Sequence, residues 1–278
     1  GLDAFCRAYP QRTFDVGIAE QHAVTSAVGM AFAGLYPVVA VYATFINRAF
    51  DQVLLDSGLH RAPVTFVLDR AGVTGPDGAS HHGMWDMSLL SIVPNLQIAA
   101  PRDGQRLRDL LGEAIAIEDG PSVVRFPSGA VADDIVAARS VGSVDVLRDS
   151  EAARRMLLVA VGATAAICLA AADIAAQSGV EVIVVDPRWV APLPEQLVEL
   201  AAASAAVLTV EDNTRTAGVG SRISQLLRDH AIDLPVRDCG LPHDFLDHGK
   251  RSDIQQAAGL SAASVAAQLV ELAGVTSE

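Results

Sequence analysis

The sequence predicts an α/β protein of two domains, each a mainly parallel sheet with helices on both faces. Three observations carry this. Short apolar, β-branched runs alternate with Ala-rich stretches whose apolar residues recur at helical spacing, the pattern of parallel sheets covered on both sides. The alternation breaks between Ser128 and about Arg155, where Gly, Ser and Asp133-Asp134 replace sustained periodicity. Finally, 278 residues with 51% hydrophobic composition are enough to bury two cores.

The first half supplies strand candidates at Phe14 to Ile18, Val38 to Tyr42, Val64 to Leu68, Gln97 to Ala99 and Ser122 to Phe126. Each is rich in β-branched or aromatic residues, which suit a pleated, buried surface. Helices are expected near Glu20 to Gly34, Phe45 to Leu59 and Gly104 to Ile117. The second half opens on the strand Met156 to Gly162 and a helix to Gln177, then the strand Val180 to Val185. A helix after Pro194, the strand Ala206 to Val210 and a helix from Gly220 to Arg228 follow. A last strand around Val236 and a closing helix at Ser261 to Leu272 complete the pattern. Domains are therefore expected at 1–127 and 156–278, with 128–155 as the linker.

Composition narrows the function. A net charge of −13 argues against nucleic acid and against an anionic membrane surface, since both call for a basic face. Apolar runs are broken well before the roughly 18–20 residues of a membrane span, and no secretory pattern opens the chain. Cys6, Cys168 and Cys239 show no paired spacing, so buried free thiols in a reducing cytoplasm are expected. His60, His230, His243 and His248 stand singly and read as surface or structural, leaving no metal site. Gly218-Val219-Gly220-Ser221 reads as a tight strand-to-helix turn, because it lacks the remainder of any phosphate-binding fingerprint.

The chemistry concentrates in three segments, each following an apolar strand candidate. Glu20 sits in Phe14-Asp15-Val16-Gly17-Ile18-Ala19-Glu20-Gln21-His22, where a strand is expected to end and a helix to begin. Open α/β sheets hold ligands at such junctions. The second segment is Tyr42-Ala43-Thr44-Phe45-Ile46-Asn47-Arg48. Phe45 and Arg48, three residues apart, share a helix face and offer a flat apolar ring beside a forked donor. The third is Asp69-Arg70-Ala71-Gly72-Val73-Thr74-Gly75-Pro76-Asp77-Gly78-Ala79-Ser80-His81-His82-Gly83, a loop long enough to move over a site. Each segment also admits a plainer reading: a Glu that complements a helix dipole, a core Phe with a surface Arg, and a turn carboxylate at Asp77.

Together the three segments resemble the thiamine-diphosphate enzymes of the transketolase superfamily, over nearly all of the chain. The resemblance implies thiamine diphosphate and Mg2+ as cofactors, with pyruvate and D-glyceraldehyde 3-phosphate as substrates. The reaction implied is a decarboxylating transfer that serves isoprenoid and thiamine synthesis. It implies that Glu20 engages the cofactor's pyrimidine nitrogen as a catalytic group, that Phe45 packs on the pyrimidine ring, and that Arg48 fixes its edge. Tyr42, Arg70, Asp77 and His81 become substrate-side residues, with Arg70 on a substrate's phosphate or carboxylate and His81 near the reactive carbon in hydrogen bonding or proton transfer.

One departure stands out. The family usually places a basic residue after an Arg-aromatic-Pro run, and here Arg125-Phe126-Pro127 is followed by Ser128. Losing a charge-assisted contact there would remove roughly 1.5–3 kcal/mol from phosphate binding. The family's Gly-Asp-Gly magnesium segment is also not found in the sequence, and the chain opens at Gly1 inside the first domain. It is expected to be the C-terminal half of a larger cytoplasmic, homodimeric enzyme, needing an N-terminal diphosphate-binding domain or chain. Two alternatives stay open: the C-terminal or β subunit of a two-chain transketolase or 2-oxo acid dehydrogenase, and a non-catalytic module on the same fold.

Overall fold

A computed structural model describes residues 2–274. In the first half lie α1 (Asp3–Ala8), α2 (Glu20–Phe32), β1 (Val38–Tyr42), β2 (Thr65–Asp69), α3 (Asp86–Leu90), β3 (Gln97–Ala99), α4 (Gly104–Ile115) and β4 (Ser122–Arg125). The remainder holds β5 (Arg139–Val141), β6 (Val144–Arg148), β7 (Met156–Ala160), α5 (Ala165–Ala176), β8 (Val182–Asp186), β9 (Trp189–Ala191) and α6 (Gln196–Ala202). It closes with β10 (Ala206–Thr214), α7 (Val219–Asp229), β11 (Val236–Leu241), α8 (Arg251–Ala257) and α9 (Ala262–Leu272).

The strands form two sheets, ordered β1-β2-β4-β3-β9 and β11-β10-β7-β8-β6-β5. Pairing is parallel through β1, β2, β4 and β3, and again through β11, β10, β7 and β8. The antiparallel members, β9 in the first sheet and β5 and β6 in the second, lie at one end of each. One cluster of buried residues runs from Val24 and Val28 on α2 through Phe66 and Ile98 to Leu157, Ile183 and Val207 in the second sheet. The far face of the second sheet has a separate core under α5 and α9, including Leu158, Ala172 and Leu269.

Four features depart from the sequence reading. The expected strand Phe14 to Ile18 does not form. The Asp15 side chain takes the Gly17 amide at 2.9 Å, Gly17 adopts φ +61°, and Ile18 is 87% exposed. A local turn and a left-handed residue interrupt the extended backbone, and no strand among the described residues lies beside it.

The expected helix after Phe45 is helical but not α: a 3-10 turn at Phe45–Ala49 runs into a π-helical stretch at Gln52–Gly58. Apolar spacing reports a helical face and is nearly blind to whether the ladder closes at three, four or five residues. In residues 128–155, β5 and β6 form a hairpin that extends the second sheet. Val144 and Val146 are fully buried there, on a segment too short and too charged to show clear alternation. Lastly, β9 crosses back to pair with β3, a long-range contact with no local signal.

The two sheets are tied by buried charge. Arg102 donates to Asp145 at 2.6 Å, to Asp186 at 2.7 Å and to the Ile135 carbonyl, so one guanidinium joins the start of α4, residues 128–155 and the second sheet. Arg125, at the end of β4, pairs with Asp86 at 2.7 Å and reaches the Asp212 carbonyl at 3.2 Å. Burial opposes its charge, yet the neighbouring Asp86 and Asp212 hold the Arg125 guanidinium above its ordinary range.

Candidate active site

The site is built at the carboxyl ends of the parallel strands of the first sheet, where side chains and loops converge. In the β1–β2 register Tyr42 lies beside Asp69, so Tyr42 and the next residue, Arg70, leave adjacent strands at the same edge. The Arg70 guanidinium stands 4.1 Å over the Tyr42 ring, a cation–π contact, and its Nη1 is 2.9 Å from Asp77 Oδ2. Arg70 holds φ +61°, a conformation that costs a non-glycine residue roughly 1–2 kcal/mol. The Asp69 carboxylate steadies it by accepting the Arg70 amide at 2.7 Å. Strain of this kind persists where surrounding contacts over-determine it.

The aromatic residues continue the row. Tyr42 stacks on Phe45 with centroids 5.7 Å apart, and Phe45 meets His81 edge-on at 5.4 Å. The Ser80 hydroxyl lies 2.9 Å from His81 Nδ1, and the Thr44 hydroxyl donates to the Ser80 carbonyl at 3.2 Å. Tyr42, Phe45, Arg70, Asp77 and His81 are thus brought into one contiguous chain of contacts.

Glu20 is the first residue of α2 and only 8% exposed. Its Oε2 is buried without a hydrogen-bond partner, and Arg48 Nη1 stands 3.9 Å away, beyond hydrogen-bonding range. A buried carboxylate oxygen left free is costly in isolation, and its position fits a nitrogen donor supplied by a ligand.

Several groups that shape the site were not singled out by sequence. The Thr74 amide donates to His82 Nδ1 at 3.1 Å. That leaves the ring proton on Nε2, 3.3 Å from the Asp247 carbonyl. His82 is fully buried, and with the 2.6 Å bond from the Gly72 amide to the Gly83 carbonyl it closes the stem of the loop. So the loop expected to be mobile has a buried stem, and only its tip at Pro76, Asp77, Ala79 and Ser80 is exposed. The His81-His82 pair was the available signal, but its two rings face different surroundings. The Arg251 guanidinium reaches the Ser128 carbonyl at 3.5 Å, placing a cation beside the position where the family's basic residue is lacking.

The glycine-rich turn before α7 proves to be an internal anion site. The Glu211 carboxylate accepts the amides of Val219 and Gly220, both at 2.9 Å. A Cβ at Gly218 would come within 2.6 Å of Glu211 Oε1, so the glycine is required for the approach. Burial pushes the Glu211 carboxyl up to about 7, against the two amide donors and Arg125. Among the described residues, no group of three or more His, Cys, Asp or Glu side chains is placed to hold a metal ion. Nor is any helix among them long and apolar enough to cross a membrane.

Two successive α/β units, the first gathering candidate ligand groups at the carboxyl ends of its strands, define a class, and the chain belongs to it: this is a member of the transketolase superfamily. Residues 1–133 match the family model for the transketolase pyrimidine binding domain, and residues 144–265 match that for the transketolase C-terminal domain. Its curated relatives include the 1-deoxy-D-xylulose-5-phosphate synthase of Frankia casuarinae, 59% identical over 274 residues, which are 98% of this chain and 42% of that protein. The synthase of Thermobifida fusca is 56% identical over 281 residues, covering 100% of this chain and 44% of the relative. The chain therefore spans less than half the length of these relatives. Among solved structures, a split-gene transketolase described as an inactive β4 tetramer superposes with a TM-score of 0.86 at 28% identity, covering 98% of this chain and 88% of that one. A transketolase of Campylobacter jejuni, at 19% identity and TM-score 0.77, shares the fold over 93% of this chain and 39% of its own.

Proposed function

We propose that this chain is the C-terminal part of a 1-deoxy-D-xylulose-5-phosphate synthase, which decarboxylates pyruvate and condenses the two-carbon unit with D-glyceraldehyde 3-phosphate. The observation that carries the reading is Glu20: a buried carboxylate at a helix N-terminus, one oxygen unpartnered, beside Arg48 and near the Tyr42–Phe45 row. Thiamine diphosphate, when bound, supplies the nucleophilic carbon and the electron sink that decarboxylation needs.

Within this reading the chain's own residues divide the work. Glu20 holds the proton at the pyrimidine nitrogen, Phe45 covers the ring face and Arg48 its edge. Arg70 takes the acceptor's phosphate, with Tyr42 as the platform beneath its guanidinium and Asp77 orienting it from the loop. His81, steadied by Ser80, moves a proton at the reacting carbonyl. Mg2+ and the diphosphate are assigned to an N-terminal domain outside this chain, in a cytoplasmic homodimer. Residues 1–127 are taken as the pyrimidine-binding domain, 128–155 as a connection that also lends two strands to the second sheet, and 156–278 as the C-terminal domain.

The match to a split-gene transketolase over 88% of that chain favours one second reading, in which a chain of this span acts as a separate subunit. Product analysis decides the main reading. The intact protein, given pyruvate, D-glyceraldehyde 3-phosphate, Mg2+ and thiamine diphosphate, should release carbon dioxide and form 1-deoxy-D-xylulose 5-phosphate. Transfer only from a ketose donor would overturn it in favour of a transketolase.

A further inference from the structure

We propose that Asp212, in the C-terminal domain, is a positioning residue that sets the substrate loop 72–83 over the acceptor end of the site. The inference rests on the reading above for what the loop binds, but its structural basis is independent. Asp212 is 3% exposed, near the end of β10. Its Oδ1 accepts the Val73 amide at 3.3 Å, while Oδ2 lies 3.1 Å from Arg251 Nη2 and 3.4 Å from Gln255 Nε2. Its own carbonyl is held by Arg125. One buried carboxylate therefore ties the start of the loop to α8, while the main-chain carbonyl of the same residue is held from β4.

The fit is close on the loop side. Gly72 adopts φ +73°, and a Cβ there would run into the Asp212 carboxylate. The neighbouring segment adds a second clasp: the Gly249 amide donates to the Gly75 carbonyl at 3.2 Å, and His82 Nε2 faces the Asp247 carbonyl. Arg70 precedes the anchored Val73 by three residues, and Asp77 and His81 lie beyond it in the same loop. The C-terminal domain, which holds none of the predicted site residues, thereby dictates where Arg70, Asp77 and His81 stand. Arg251 pairs with the buried Asp212 carboxylate at 3.1 Å, so either partner's loss should loosen the loop.

The test uses the intact protein with two conservative variants, Asp212→Asn and Arg251→Gln, the second altering a partly exposed side chain, and native circular dichroism is required of each before its loop is read. Amide hydrogen exchange should accelerate by about tenfold or more at residues 72–75, as for the loss of one charge-assisted hydrogen bond. The KM for D-glyceraldehyde 3-phosphate should rise while the affinity for thiamine diphosphate stays unchanged. Unaltered loop exchange in both variants would overturn the proposal. So would a fall in thermal midpoint with neither exchange nor KM moved, which is the mark of a merely structural role. Failure of the intact protein to turn over these substrates would remove the proposed reaction, and the exchange measurement would then decide the role of Asp212 alone.

Discussion

Arg48 Nη1 faces Glu20 Oε2 across 3.9 Å, and that oxygen is buried with no hydrogen-bond partner. The pair is open: the guanidinium is too far to satisfy the carboxylate, and more than half of the Arg48 side chain is exposed. A structural ion pair would close to hydrogen-bonding distance, whereas this arrangement leaves the carboxylate free for a third group.

Replacing Glu20 tests the role of this unpartnered oxygen. Glu20→Ala in the intact protein should lower turnover by about 100-fold or more, the scale of a lost acid–base contribution. Glu20→Gln preserves shape but cannot hold an exchangeable charge, and should fail similarly. Steady-state assay of product formation checks both, and near-normal turnover in either would sink the role assigned to Glu20.

Arg70 should govern the acceptor. Its guanidinium is held between the Tyr42 ring and Asp77, two contacts that orient a bidentate donor without burying it. Arg70→Ala should raise the KM for D-glyceraldehyde 3-phosphate by about tenfold to 100-fold, corresponding to roughly 1.5–3 kcal/mol. The apparent affinity for pyruvate should change little. Tyr42→Ala should show a weaker version of the same effect, and retained acceptor affinity in Arg70→Ala would refute the phosphate role.

Stability should carry a pH signature from Glu211. Its folded-state value of about 7 lies above the ordinary 4.5, so between those values the folded chain binds more protons than the unfolded one. The contribution of this group to stability is therefore greatest below about 4.5 and declines as pH rises toward 7. Glu211→Gln removes the titration and keeps an acceptor oxygen for one of the Val219 and Gly220 amides, so its absolute stability falls while its pH slope reports the missing group. Denaturant midpoints measured across this window should fall less steeply in the variant than in the parent, and parallel slopes would refute the assignment.

Much of this was legible in the chain itself. Strands such as Met156–Ala160 and Val182–Asp186 appear where apolar, β-branched runs placed them, because full burial between two helical layers demands continuous apolar sequence. The candidate residues Glu20, Tyr42, Phe45, Arg48, Arg70, Asp77 and His81 are named through the family resemblance of three segments, and the fold brings Tyr42, Phe45, Arg70, Asp77 and His81 into contact. The strand expected at Phe14 to Ile18 was misread for a related reason. Apolar residues there signal burial against something, yet in this chain Phe14 and Ile18 stay exposed.

By itself, then, the sequence determined the two-domain α/β class and the order of most of its elements, since local periodicity carries that information, and its resemblance to a family supplied the candidate site residues. Only the tertiary structure decided that β9 closes the first sheet, that Glu211 occupies the helix end at Gly218–Gly220, and that Asp212 reaches Val73 across 139 residues of sequence. Those contacts join groups with no local pattern linking them. They are selected by burial, charge pairing and close approach, terms that come into force only when distant segments of the chain meet.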